Sequence, residues 1–579
     1  MALRYLSVTA VLLLVAACNS PPGDDDGLAA VQPADLVLRG GTIASVDPQI
    51  GQTQAIAVNG STITAIGSDA DMDRYIGADT KVVELDGRFA MPGFIEGHGH
   101  FLGLGQAQQI LDFSAVKNWD EIVTMVATAA DKAKPGEWIL GRGWHQEKWD
   151  SVPDNAVDGV PRNDLLNKAA PDNPVLLGHA SGHAAYANDS ALAAGDIDDN
   201  TPDPDGGTIV RAENGKATGL LRETAQRLVK RALGKHQSEL SPEQAEIISR
   251  EQVYLAGQAA LRNGVTSFHD AGASFEQIDF FHLLEREGAL PIRLYVMVRR
   301  ESNEKMAELL PHYRMVADDN DYLAVRSIKR QVDGALGAHG AWLLEPYIDM
   351  TDTTGLVLGP VDDISRTAEI AIEHGFQLNT HAIGDRANRE MLDLYEQAFE
   401  KEGANGRELR WRIEHAQHID PLDVPRFGEL GVIASMQGVH CTSDGPWVAK
   451  RLGEKRTERT SYLWRDLIDS GAIINNGTDV PVESIDPIAS YYASVARMTR
   501  TGEKFFPKQA MTREEALISY TLNNAIAAFE ETQKGTLTPG KLADIVVLSR
   551  NILTVPEEEI PGTVVDLTIL GGEVAYARE

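Results

Sequence analysis

Along the middle of the chain, short apolar runs alternate with helical stretches, the pattern of a parallel sheet with helical crossovers. Strand-like runs fall at 89–100, 264–270, 292–298, 323–332, 376–381, 410–415, 432–437 and 472–479. Eight is the number that a (β/α)8 barrel requires. Ser241-Pro242-Glu243-Gln244 and Thr512-Arg513-Glu514-Glu515 are capping boxes that predict helix starts, and Gly264 stands past the end of the first of these helices. The two ends of the chain differ from the middle. Residues 34–88 read as short alternating strands, with a hairpin around Asn59-Gly60, and the same texture returns over 535–579. The pattern predicts a small β-sandwich assembled from both ends around a barrel spanning 89–534. Residues 101–262 are not counted as barrel and are expected to form a large insertion over its mouth, after the first strand.

Composition leaves this reading intact. The chain has 579 residues, of which 43% are hydrophobic and 24% charged, enough for a large core. Its net charge of −32 argues against nucleic acid or an anionic membrane surface as partner, since both demand basic patches. The N-terminus stands apart. Arg4 precedes an apolar run, Val8 to Ala17, too short to span a membrane as a mature helix. It ends Leu14-Val15-Ala16-Ala17-Cys18 and resembles a bacterial lipobox. That likeness implies a signal peptide over 1–18, lipidation at Cys18 and an outer-membrane lipoprotein facing the periplasm. Ordinary secretion is the simpler alternative. Residues 19–33 read as a flexible tether. The second cysteine, Cys441, is then expected to be a packed thiol.

The candidate chemistry begins at Phe94-Ile95-Glu96-Gly97-His98-Gly99-His100. On a strand, residues i and i+2 share a face, so His98 and His100 can reach one metal ion together. Catalytic groups of an α/β barrel sit at the C-terminal ends of its strands. Lys329, His381, His415 and Asp479 each fall at such an end, on the fourth, fifth, sixth and eighth predicted strands. His269, Gln437 and His440 also lie at strand ends. Asp333 follows Lys329 and is a candidate partner for it. Arg330, beside Lys329, points to the opposite face.

The chain resembles the amidohydrolase superfamily, in the branch that contains N-substituted formamide deformylase. The likeness rests on Met91-Pro92-Gly93-Phe94 before the histidine pair and on Lys329 with Asp333-Gly334-Ala335-Leu336-Gly337. It also rests on His381-Ala382-Ile383-Gly384-Asp385-Arg386, Glu414-His415-Ala416-Gln417, Gly477-Thr478-Asp479-Val480-Pro481 and the tail 535–544. The resemblance implies one or two divalent metal ions, zinc first, with manganese, iron or cobalt as alternatives. His98, His100 and Asp479 would hold the more buried ion, and Asp479 would also shuttle a proton. His381 and His415 would hold a second ion, bridged to the first by Lys329 as N6-carboxylysine. Without that carbamate the site is mononuclear and His415 polarises the substrate carbonyl. Trp144, His145 and His183 resemble branch motifs and are candidates, with His269, Asp333, Gln437 and His440, for the substrate pocket.

The expected function is hydrolysis of a non-peptide, amide-type C–N bond in a small molecule. A peptidase or lactonase of the same superfamily is the second reading, because fold does not fix substrate. A non-catalytic, solute-binding lipoprotein is the third. Superfamily members often self-associate, so a homo-oligomer is an open expectation.

Overall fold

The computed structural model describes residues 32–579, except 114, 145, 147–148, 152–155, 158–159, 180–183, 206 and 318–320. The calls on Cys18, the signal peptide, the tether up to residue 31, His145 and His183 lie outside the described residues. No described helix is long and apolar enough to cross a membrane.

Eight parallel strands form the centre: β1 (Phe94–Gly99), β2 (Val265–Ala273), β3 (Arg293–Val298), β4 (Leu323–Gln331), β5 (Gln377–Ala382), β6 (Arg412–His415), β7 (Ile433–Gln437) and β8 (Ile474–Gly477). They hydrogen-bond in sequence order from β1 to β8. At the site end the ring closes by backbone bonds from Asp479 N–H to His98 O and from His100 N–H to Val480 O, both 2.7 Å. Deeper in, the Asn524 amide donates to Ile95 O at 2.5 Å and to Asn476 O at 2.9 Å, joining β1 to β8 where no ladder bond does. Burial on both faces explains why these strands read as nearly continuous apolar runs.

The first predicted strand is two strands. Phe89–Pro92 lies between the strands Thr42–Ala44 and Ile545–Leu548 of a six-stranded sheet, and only Phe94–Gly99 enters the barrel. Gly93 is the joint: a Cβ there would meet Thr266 Oγ1 at 2.3 Å. A four-stranded sheet, built from Thr62–Gly67, Ala55–Asn59, Leu36–Arg39 and Lys81–Glu84, packs on the six-stranded one. Both chain ends thus share one small β unit around Leu38, Ile56, Ile545, Val547 and Ile569, all buried. The turn after Asn59 uses Gly60 at φ +54°, as its sequence predicts.

Between β1 and β2 stands a six-stranded mixed sheet with its own core on each face, one around Trp119, Trp144 and Tyr186, the other around Leu192, Leu221 and Val229. The helices that flank this insertion, Phe101–Gln109 and Pro242–Arg262, belong to the barrel and touch at Gly105, where a Cβ would lie 2.0 Å from Gln252 O. The second starts on the capping box at Ser241. Arg142 of the insertion donates to Pro481 O at 3.0 Å, so the insertion reaches the loop that follows β8.

Candidate metal centre and active site

His98, His100, Lys329, His381, His415 and Asp479 all line one cavity of roughly 370 Å³ at the C-terminal end of the barrel. One ligand atom from each of His98, His100 and Asp479 lies within 4.8 Å of the others. Asp479 Oδ1 is 3.3 Å from His100 Nε2 and 3.6 Å from His98 Nε2. Lys329 Nζ is 3.2 Å from His98 Nε2. The His415 ring centre lies 4.5 Å from that of His381 and 4.8 Å from that of His98.

Strand alternation alone would not bring all of these together. His98 and His100 share a face because they are two apart, and Lys329 points inward while Arg330 turns out to Thr367, Asn303 and Glu301 O. Glu414 and His415 are consecutive, yet both serve the site. His415 and Ala416 leave the strand with φ of +75° and +43°, which swings the imidazole toward the cavity, and Asp479 stands at +56°. Such conformations are costly for residues other than glycine and cluster at functional sites.

The histidines are oriented from behind. Glu414 hydrogen-bonds His98 Nδ1 and receives Arg412 Nε at 2.7 Å. Nδ1 is thereby engaged and Nε2 is left facing the cavity. Gln437 Oε1 lies 2.8 Å from His415 Nδ1, while its amide nitrogen donates to Ser435 O. His415 Nδ1 is thus the donor and Nε2 carries the lone pair. Burial lowers His98 to about 4, and it lowers His381 and His415 well below the ordinary range; the Lys329 charge acts the same way on His98 and His381. The imidazoles are neutral and able to ligate. Burial would raise Asp479, but contacts led by its hydrogen bond with His100 outweigh this and hold it well below the usual carboxylate range. Burial also brings Lys329 down to about 7, against the pull of Glu414.

This donor set fits a divalent ion of the zinc type, whose ligands are imidazoles and carboxylates. His381 Nε2 and Asp479 Oδ1 are buried without a hydrogen-bond partner, the atoms that an ion would satisfy. The oriented His98–Glu414 pair is the support that metal-bound histidines use.

The pocket candidates divide. His440 lines the cavity and is held through Nδ1 by Gln417 at 3.1 Å. Gln437 stands behind His415 rather than in the wall. Asp333 is a brace: it accepts the backbone N–H groups of Trp342, Ile383 and Gly384 and ties the loop after β4 to the loop after β5. It does not bind Lys329. Two candidates are corrected outright. Trp144 is buried in the insertion's own core with its indole N–H on Leu177 O, and His269 is sealed between Tyr295 and Arg412. Neither lines the cavity: Trp144 fills the insertion's core, and His269 packs against Arg412, the partner of Glu414, in the barrel interior.

The cavity also contains residues that sequence reading passed over: Arg299, Gln331, Asp444, Trp447 and Glu483. Signals for them existed. Gln331 is two past Lys329 on the same face, and Arg299 directly follows β3. Asp444 and Trp447 stand four and seven residues past His440, one face of the helix Gly438–Leu452.

A parallel barrel with imidazoles and a carboxylate gathered over its strand ends is the scaffold of a metal-dependent hydrolase. The Amidohydrolase family model matches residues 81–576, and the chain belongs to that family. Protein LONG AFTER FAR-RED 3 of Arabidopsis thaliana is 33% identical, over 94% of this chain and 92% of that one. N-substituted formamide deformylase of Arthrobacter pascens is 26% identical, over 94% of this chain and 99% of its own. Among solved structures, an uncharacterized metal-dependent hydrolase from Pyrococcus furiosus aligns with a TM-score of 0.71 at 27% identity, covering 90% of this chain and 100% of that one.

Proposed function

We propose that the protein hydrolyses an amide-type C–N bond, other than a peptide bond, in a small molecule. The observation that carries this is the convergence of His98, His100, Lys329, His381, His415 and Asp479 on one cavity. The similarity to N-substituted formamide deformylase supports the bond type.

His98, His100 and Asp479 would hold a first divalent ion, and His381 and His415 a second. A bound ion supplies Lewis acidity, lowering the pKa of water and polarising a carbonyl oxygen. Asp479, ionised and with Oδ1 free of hydrogen bonds, accepts the proton of the attacking water. It then returns that proton to the leaving nitrogen, which is otherwise a poor leaving group. The Nδ1–H of His415 is engaged by Gln437, so its free Nε2 lone pair favours a ligand role over donation to the carbonyl. Lys329 is 3% exposed with no carboxylate within 4.0 Å among the described residues, an uncomfortable place for an ammonium ion. Reaction of its neutral amine with carbon dioxide gives an anionic carbamate and releases a proton, which supports the bridging role.

The lipobox-like stretch ending at Cys18 supports export and a lipid anchor at the outer membrane. The test of the whole reading is elemental analysis of chelator-free protein together with turnover of N-substituted formamides. Two ions per chain and formate release are expected. Protein that stays without metal when metal is supplied, and inert toward every amide, overturns it.

A further inference from the structure

Arginines buried in this protein have partners. Arg293 pairs with Asp544 at 2.8 Å, Arg412 with Glu414 at 2.7 Å and Arg456 with Asp385 at 3.1 Å, while Arg497 donates to Phe505 O at 2.6 Å. Arg299 differs from these four. Its side chain lines the catalytic cavity, half-buried, and its guanidinium has no hydrogen bond and no ion pair within 4.0 Å among the described residues. Asp270 and Asp479 are the acids whose charge it feels. Both have other work: Asp270 accepts Phe101 N–H at 3.2 Å, and Asp479 faces His98 and His100.

The backbone makes room for this side chain. Arg299 follows β3 and its N–H bonds Ala273 O at 2.8 Å. Gly272, at φ +140°, lies beneath the stem, where a Cβ would fall 2.3 Å from Arg299 Cδ and 2.4 Å from its Cβ. A residue with any side chain at 272 would evict the arginine from its place. The cavity is also polarised. Arg299 enters from β3, and Asp444, Trp447 and Glu483 enter from the elements after β7 and β8, across the barrel. An anionic group is repelled by that far wall and drawn to the near one.

We propose that Arg299 receives a carboxylate of the substrate and so selects anionic amides over neutral ones. This rests on the hydrolase reading above and names its substrate class. The planar guanidinium offers two parallel N–H donors that match a carboxylate, a geometry that lysine does not reproduce.

The test uses holoenzyme and matched pairs that differ only in charge. N-Formyl-4-aminobenzoate is compared with N-formyl-4-aminobenzamide, and N-phenylsuccinamate with N-phenylsuccinamide, which places the carboxylate on either side of the scissile bond. In at least one pair, wild type is expected to favour the anion in kcat/KM by about 10- to 100-fold, the worth of a charged hydrogen bond. Arg299→Met is expected to abolish that ratio through KM, and Arg299→Lys to recover only part of it. Calorimetric binding of 4-aminobenzoate and 4-aminobenzamide, the amines released from the first pair, gives a second readout that does not depend on turnover. Arg299-dependent binding of an anion with no hydrolysis of any amide supports this inference and sinks the amide reading. Hydrolysis without preference for the anion, or anion binding equal in wild type and both variants, overturns this inference and leaves the amide reading standing. Should Arg299→Met fail to fold or to retain metal, Arg299→Lys alone carries the comparison.

Discussion

Glu414 hydrogen-bonds Nδ1 of His98 from the protein side, and so determines which nitrogen of His98 meets the cavity. The same carboxylate neutralises Arg412, which is fully buried. One side chain therefore supports both a ligand and the barrel interior.

Glu414→Gln is expected to weaken metal binding by about 10- to 100-fold, the usual effect of losing such a support. It also leaves Arg412 without its countercharge, so the melting temperature falls in the metal-free protein as well. Metal titration and a thermal melt read the two effects separately. Unchanged metal affinity would remove Glu414 from the site.

Asp479→Asn keeps the shape of the side chain and removes its basicity. Turnover is expected to fall by about 100- to 10,000-fold, the range for loss of a general acid–base group. KM should change far less than kcat. A steady-state comparison with the metal-replete variant checks this.

Asp444 gives a pH signature away from the ligands. Burial raises its pKa from 3.8 to about 6, with Tyr462 hydroxyl bonded to it at 2.7 Å. The folded state therefore holds this proton more tightly than the unfolded chain does. Its contribution to stability is full below pH 3.8 and is lost as pH rises through about 6. Asp444→Asn is expected to be the more stable protein at pH 7, relative to wild type, with the advantage shrinking toward pH 4. Denaturant unfolding of both proteins across that window checks the sign.

Asn524 donates to the carbonyls of Ile95 and Asn476 and accepts from Asn475 at 2.9 Å. Asn524→Ala leaves these buried groups unpaired. The expected loss is about 2–4 kcal/mol of stability, from unsatisfied polar groups. Denaturant unfolding measures it, and a change of under about 0.5 kcal/mol would mean that water takes over the bonds.

The barrel was legible because its strands are buried on both faces and so carry apolar runs that stand out from the helices. The cluster was legible because the strand-end rule places chemistry at one end of such a barrel. Gly93 was not legible as a joint: the apolar run continues through it, and only the approach of Thr266 distinguishes it. Trp144 misled because it was carried over from a resemblance to branch motifs, whereas the insertion has a core of its own to fill. Glu414 was passed over because strand alternation sends consecutive residues to opposite faces. The left-handed turn at His415 breaks that rule, and a left-handed residue other than glycine leaves no mark in composition.

The pairing of Phe89–Pro92 with Ile545–Leu548 has a bearing on how the molecule is made. The strand that leads into His98 is synthesised long before its neighbour in the small sheet. Asp479, which bonds the backbone of His98, also comes late. During synthesis the histidine pair thus emerges long before anything that completes its surroundings. Neither the complete sheet nor the ligand cluster can exist until both partners of each contact have been made, and a nascent chain halted between them has an open strand edge and an incomplete ligand cluster.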